Sequence, residues 1–209
     1  MQLLLIRHAL PLRSEHGEGS DPELSDTGLQ QARRLPEALA RYPIARVLSS
    51  PQRRAIQTAE PLAEARGLAI EVDERFAEYD RDMHAYVPIE HVRAEQPEAW
   101  ARMAAGRLPD GVDETAFCAR VTAATADAVD AAEPEQTVVV FSHGGVINVV
   151  LHQILGTARL LSVPIDYVSV TRLLYSRSGE ATVVSTNGTE HVWDLLPRNQ
   201  QPPGDDARA

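Results

Sequence analysis

Strand-like and helix-like periodicities alternate over about the first seventy residues, a pattern that restricts the fold to βαβ units with parallel strand pairing. Residues 2–6 read as a first strand, its apolar run Leu3–Ile6 ending at Arg7-His8, and a polar stretch with Gly17 and Gly19 follows. Ser25 suits an N-cap, Asp26 adds negative charge to the first turn, and the helix they open extends to about Arg41. Pro36 lies inside that helix and demands a kink or a break. Arg46–Ser49 is the second strand, Pro51 suits the first turn of a helix whose spacing runs over Gln52–Arg66, Gly67 stops it, and Leu68–Val72 is the third strand.

Between Tyr79 and Asp113 the pattern turns irregular, which indicates a helical insertion over the C-terminal edge of the strands at about 80–115. A helix then places Phe117, Val121, Ala124 and Ala128 on one face, and Pro134 closes it. Thr137–Phe141 is β-branched and aromatic almost throughout, as a central strand buried on both faces requires. Val146–Leu155 is an apolar helix ended by Gly156, and Tyr167–Tyr175 and Ala181–Ser185 are strands joined at Ser178-Gly179. The expected fold is α/β, three layers α/β/α around a mainly parallel sheet. Residues 1–196 make one domain, and the proline-rich 197–209 form a disordered tail.

A chain of 209 residues that is 44% hydrophobic can bury a substantial core. The formal net charge of −10 opposes nucleic acid and acidic membrane as partners, since both need a broad basic face. A lone cysteine, Cys118, excludes an internal disulfide framework and points to the cytoplasm. Neither a signal peptide nor a membrane span is visible. All 20 basic residues are arginine, a bias that most simply reflects a GC-rich bacterial genome and excludes lysine chemistry.

The chemistry concentrates at strand ends. One strand stops at Arg7-His8 and another at Ser142-His143-Gly144-Gly145. In one parallel sheet these ends share a crevice, where open α/β sheets bind ligands. Glycines after His143 also open a helix N-terminus to an anion. After the second strand, Arg54 and Thr58 share a helical face, and an arginine fork can hold two phosphate oxygens. Together these features describe a phosphate pocket. His84, His91, His152 and His191 show no metal-ligand spacing, so neither a metal nor another cofactor is expected.

Four segments in order resemble the histidine phosphatase superfamily, the phosphoglycerate-mutase-like fold. They are Leu5-Ile6-Arg7-His8, the segment from Leu24 to Ala32, the segment from Ser50 to Ala59, and Ser142-His143-Gly144-Gly145. The resemblance implies His8 as nucleophile, forming a phosphohistidine, with Arg7, Arg54 and His143 holding the phosphate. It also implies a glutamate proton donor: Glu78 matches best, with Glu74 as the alternative. Ser14, Gly144, His84 and Tyr86 are candidate substrate-pocket residues, although His84 and Tyr86 suit lid packing as well. His8 should be neutral and His143 protonated.

Arg7-His8 leads into Ala9-Leu10-Pro11, and Glu78 into Tyr79-Asp80-Arg81-Asp82-Met83, where cofactor-dependent mutases carry other segments. The departures favour a phosphatase acting on a small phosphomonoester. A phosphoglycerate mutase is the alternative. A protein phosphohistidine phosphatase and a noncatalytic phospholigand-binding protein are further readings. Alanine-rich helices suit core packing or a homodimer contact.

Overall fold

In the computed structural model, residues 1–13, 21–81, 87 and 89–200 are described, which leaves Ser14, His84 and Tyr86 outside. Strands β1 (Gln2–Arg7), β2 (Ile44–Ser49), β3 (Ile70–Val72), β4 (Thr137–Ser142), β5 (Val170–Tyr175) and β6 (Ala181–Gly188) form one sheet in the order β3-β2-β4-β1-β5-β6. β1, β2, β3 and β4 pair in parallel, whereas β5 and β6 run antiparallel at the β1 side. The mainly parallel α/β expectation therefore holds, with an antiparallel hairpin added.

Period-two alternation in the buried central strands divides the core between the two faces of the sheet. Leu3, Leu5, Val138 and Val140 pack on one side with α6 (Glu114–Asp130) and α7 (Gly144–Leu155). Leu4, Ile6, Val139 and Phe141 pack on the other with α1 (Asp26–Arg33) and α3 (Arg53–Arg66). α6 buries Phe117, Val121, Ala124 and Ala128, the face its spacing predicts. Among the described residues, no helix is long and apolar enough to cross a membrane.

Several element ends differ from the sequence reading. The first helix stops at Arg33 and restarts as α2 (Leu35–Ala38), with Pro36 in the new first turn, where its missing N–H costs no helical bond. β3 starts at Ile70 rather than Leu68, because Leu68 N donates to Ala63 O and Gly67, at φ 62°, closes α3 in a Schellman cap. β5 starts at Val170 rather than Tyr167, because Val168 has φ 55°, a strained value for a β-branched residue. The insertion contains α4 (Ile89–Glu95) and α5 (Pro97–Ala104), and Pro197–Gln200, the start of the expected tail, is one short helix, α8.

Candidate active site

Sheet register brings the two strand ends together. Arg7 pairs with Ser142 across β1 and β4, so His8 and His143, the next residue on each strand, lie side by side with ring centroids 5.1 Å apart. Ser49 pairs with Phe141 on the other side of β4, which brings Ser50, Gln52 and Arg54 to the same edge. Arg7, His8, Arg54, Glu78 and Gly144 line a cavity of about 390 Å³.

His8 is held from behind. Its Nδ1 lies 2.8 Å from the Ala9 carbonyl, which can only accept, so Nδ1 carries the proton and the lone pair is at Nε2. The loop after it is anchored by Ala9 N donating to Thr58 Oγ1 and Leu10 N donating to Gln31 Oε1. Ser25 Oγ donates to Leu10 O and accepts from Gly28 N, joining the α1 cap to the same loop. Much of the Leu24–Ala32 and Ser50–Ala59 segments thus acts on His8 through its backbone.

Burial, then Arg54 and Arg7, hold the His8 pKa well below the ordinary imidazole range. His143 is lowered as well, by burial first and then by Arg54, His8 and Arg7. Both shifts favour the neutral ring, a direction that runs against the protonated state expected of His143. The reason is the dry, doubly cationic setting that they share. His143 is fully buried next to His8, with Nε2 2.7 Å from Ser50 Oγ and Nδ1 lacking a hydrogen-bond partner among the described residues.

Arg7 donates from Nη1 to Ile165 O at 2.6 Å and lies over the Tyr167 ring, 3.9 Å from its centroid. Arg54 is fully buried, and its Nη2 donates to both Asp80 carboxylate oxygens at 2.9 Å. Gln52 joins the acids: its Oε1 accepts from Glu78 N and its Nε2 donates to Asp80 Oδ1.

Glu78 and Glu74 have different settings. Glu74 is exposed and paired with Arg81, whereas Glu78 is buried on the cavity wall. Burial and then Asp80 push the Glu78 pKa up to about 7, against hydrogen bonds from Gly145 N and Tyr79 N and the charge of Arg54. Gly145 N donates to Glu78 Oε2 at 2.8 Å, so the start of α7 holds this carboxyl group. A Cβ on Gly145 would overlap Glu78 Oε1 and lie 3.0 Å from its Cδ, which explains the second glycine.

Tyr167, Gln52, Ser50, Asp80 and Asn148 were absent from the sequence-based site. Asn148 Nδ2 donates to Gly144 O and Val163 O, and its Oδ1 accepts from Ser162 N and Val163 N. It fixes the 161–165 segment to α7, and no local motif marked it. Among the described residues, no group of three or more histidines, cysteines or acids is arranged to hold a metal ion.

The family model of the histidine phosphatase superfamily (branch 1) matches residues 3–188. The chain belongs to this superfamily. Phosphoserine phosphatase 1 of Hydrogenobacter thermophilus is 33% identical over 105 residues, 49% of this chain and 50% of that one. The probable phosphoglycerate mutase GpmB of Enterobacter sp. (strain 638) is 32% identical over 165 residues, 75% of each chain. Among solved structures, mycobacterial glucosyl-3-phosphoglycerate phosphatase matches with a TM-score of 0.73 and 27% identity, over 90% of this chain and 98% of that one. Bacillus stearothermophilus YhfR matches with a TM-score of 0.76 and 26% identity, over 91% and 98%.

Proposed function

We propose that this member of the superfamily is a phosphatase that hydrolyses a small-molecule phosphomonoester through a phosphohistidine on His8, without a metal. The observation that carries this reading is the pairing in one cavity of His8, with its lone pair at Nε2, and Glu78, a buried carboxyl group whose pKa is pushed up to about 7 so that a large share of it is protonated at neutral pH.

In the first step Nε2 attacks phosphorus, the P–O bond breaks, and the leaving oxygen takes the Glu78 proton. In the second, the Glu78 carboxylate takes a proton from water, the water oxygen attacks phosphorus, and the P–N bond breaks to release phosphate. Arg7 and Arg54 stabilise the phosphoryl oxygens. His143, whose Nδ1 has no hydrogen-bond partner among the described residues, gains a proton once phosphate lies beside it, because an adjacent dianion raises an imidazole pKa.

The test is a panel of phosphomonoesters with free phosphate as the readout, on the native protein and on His8→Ala. Release by the native protein and loss of roughly 10³-fold or more in the variant are expected. Equal rates would discard the mechanism. The mutase reading draws on the name of the Enterobacter relative. Conversion of 3-phosphoglycerate to 2-phosphoglycerate without phosphate release would establish it instead.

A further inference from the structure

The cavity that contains His8 is chemically lopsided. Its described wall beyond the reacting groups is formed largely by Val92, Trp100, Met103, Leu161, Val163 and Ile165. Val92 comes from α4, Trp100 and Met103 from α5, and the rest from the segment pinned by Asn148. Leu161 N also donates to Gly106 O at 3.0 Å, tying that segment to the end of α5. The apolar wall is therefore a built surface with two elements held together.

Charge on the wall points the same way. Among the described lining residues the only arginines are Arg7 and Arg54, both assigned to the phosphoryl group under the proposed function. Asp80, also lining the cavity, adds a carboxylate on Arg54. On the described wall a second anionic group of the substrate would meet mostly hydrocarbon and the Asp80 carboxylate, and a charge left without a cationic partner there is costly.

We infer that the alcohol released by this enzyme is uncharged and apolar, of aryl or branched-alkyl character, and that the Trp100 wall and Asp80 select against esters carrying a carboxylate. The inference rests on the phosphatase reading for the phosphate end of the site. A cavity of about 390 Å³ accommodates a phosphate and a single ring or short branched chain. Trp100 and Tyr79, the indole and phenol rings among the described lining residues, are too few to enclose a quaternary ammonium in an aromatic cage.

Binding and turnover separate the two readings. By calorimetry on the full chain, benzylphosphonate should bind at least about tenfold tighter than 2-carboxyethylphosphonate. Trp100→Ala should weaken the benzyl ligand selectively, and Asp80→Asn should narrow the gap by improving the carboxylated one. Equal or tighter binding of 2-carboxyethylphosphonate, or of phosphocholine, overturns the inference. In turnover, kcat/KM for benzyl phosphate should exceed that for phosphoserine and 3-phosphoglycerate, all alkyl esters of comparable leaving-group character, by about tenfold. Preference for a carboxylated ester with normal phosphate release defeats the inference alone. The expected phosphonate preference without phosphate release from any ester defeats only the phosphatase reading.

Discussion

At the scale of single residues, the site is governed by how few charges it contains and how dry they are. Asp80 both holds Arg54 and raises the Glu78 pKa, so Asp80→Asn removes a negative neighbour and eases Glu78 ionisation. If Glu78 must deliver a proton, kcat/KM declines as pH rises through its pKa of about 7 in the native protein. In the variant that limb moves to lower pH, and the activity defect becomes several-fold larger at pH 8 than at pH 6. A pH profile of kcat/KM on one ester checks this, since the ester's own ionisation is common to both proteins. An unchanged alkaline limb would remove Glu78 from the role of acid. Asp80 was legible only as a departure from the family pattern, because its action depends on Arg54 and Gln52, both distant in sequence.

Among elements, the start of α7 has the clearest consequence. Helix propensity alone would favour alanine over glycine at position 145 by about 1 kcal/mol. The observed contact reverses the expectation for activity, because the new Cβ would displace the Glu78 carboxyl. Gly145→Ala should keep its secondary structure by circular dichroism and lose about 10²-fold or more in kcat. Gly144→Ala, whose Cβ would meet nothing within 4 Å, should lose far less. Similar losses in the two variants would show that the contact with Glu78 is not what requires Gly145. The sequence marked this turn as an anion site through the free N–H groups of a helix start. The group found at Gly145 N is the protein's own carboxyl, an assignment that requires the distant Glu78 segment to be folded against α7. Element ends were missed for a more local reason: Leu68 and Val168 sit in extended-looking runs, but a Schellman cap takes one and a strained turn the other.

Over the whole molecule, the alternating apolar patterns made the sheet and its two-sided core legible, because burial on both faces leaves a continuous signature in β1 and β4. What local pattern does not encode is the energy of gathering titratable groups at one dry edge. His8 and His143, lowered in the fold, contribute stability that is present above their unfolded pKa of about 6.5 and lost as pH falls below it. Glu78 acts in the opposite direction. Its folded pKa of about 7 lies above the ordinary value of 4.5, so its contribution is complete below pH 4.5 and is lost as pH rises through about 7. Glu78→Gln removes that proton exchange while leaving both histidines in place. The difference in unfolding free energy between native protein and variant should therefore shift by ~3 kcal/mol against the native protein between about pH 4.5 and 8. Urea unfolding at several pH values measures it, and any constant packing penalty of the glutamine cancels from the slope. A difference that stays flat across this window would mean that Glu78 titrates as an ordinary carboxylate, and the first chemical step would then lack its proton donor at neutral pH.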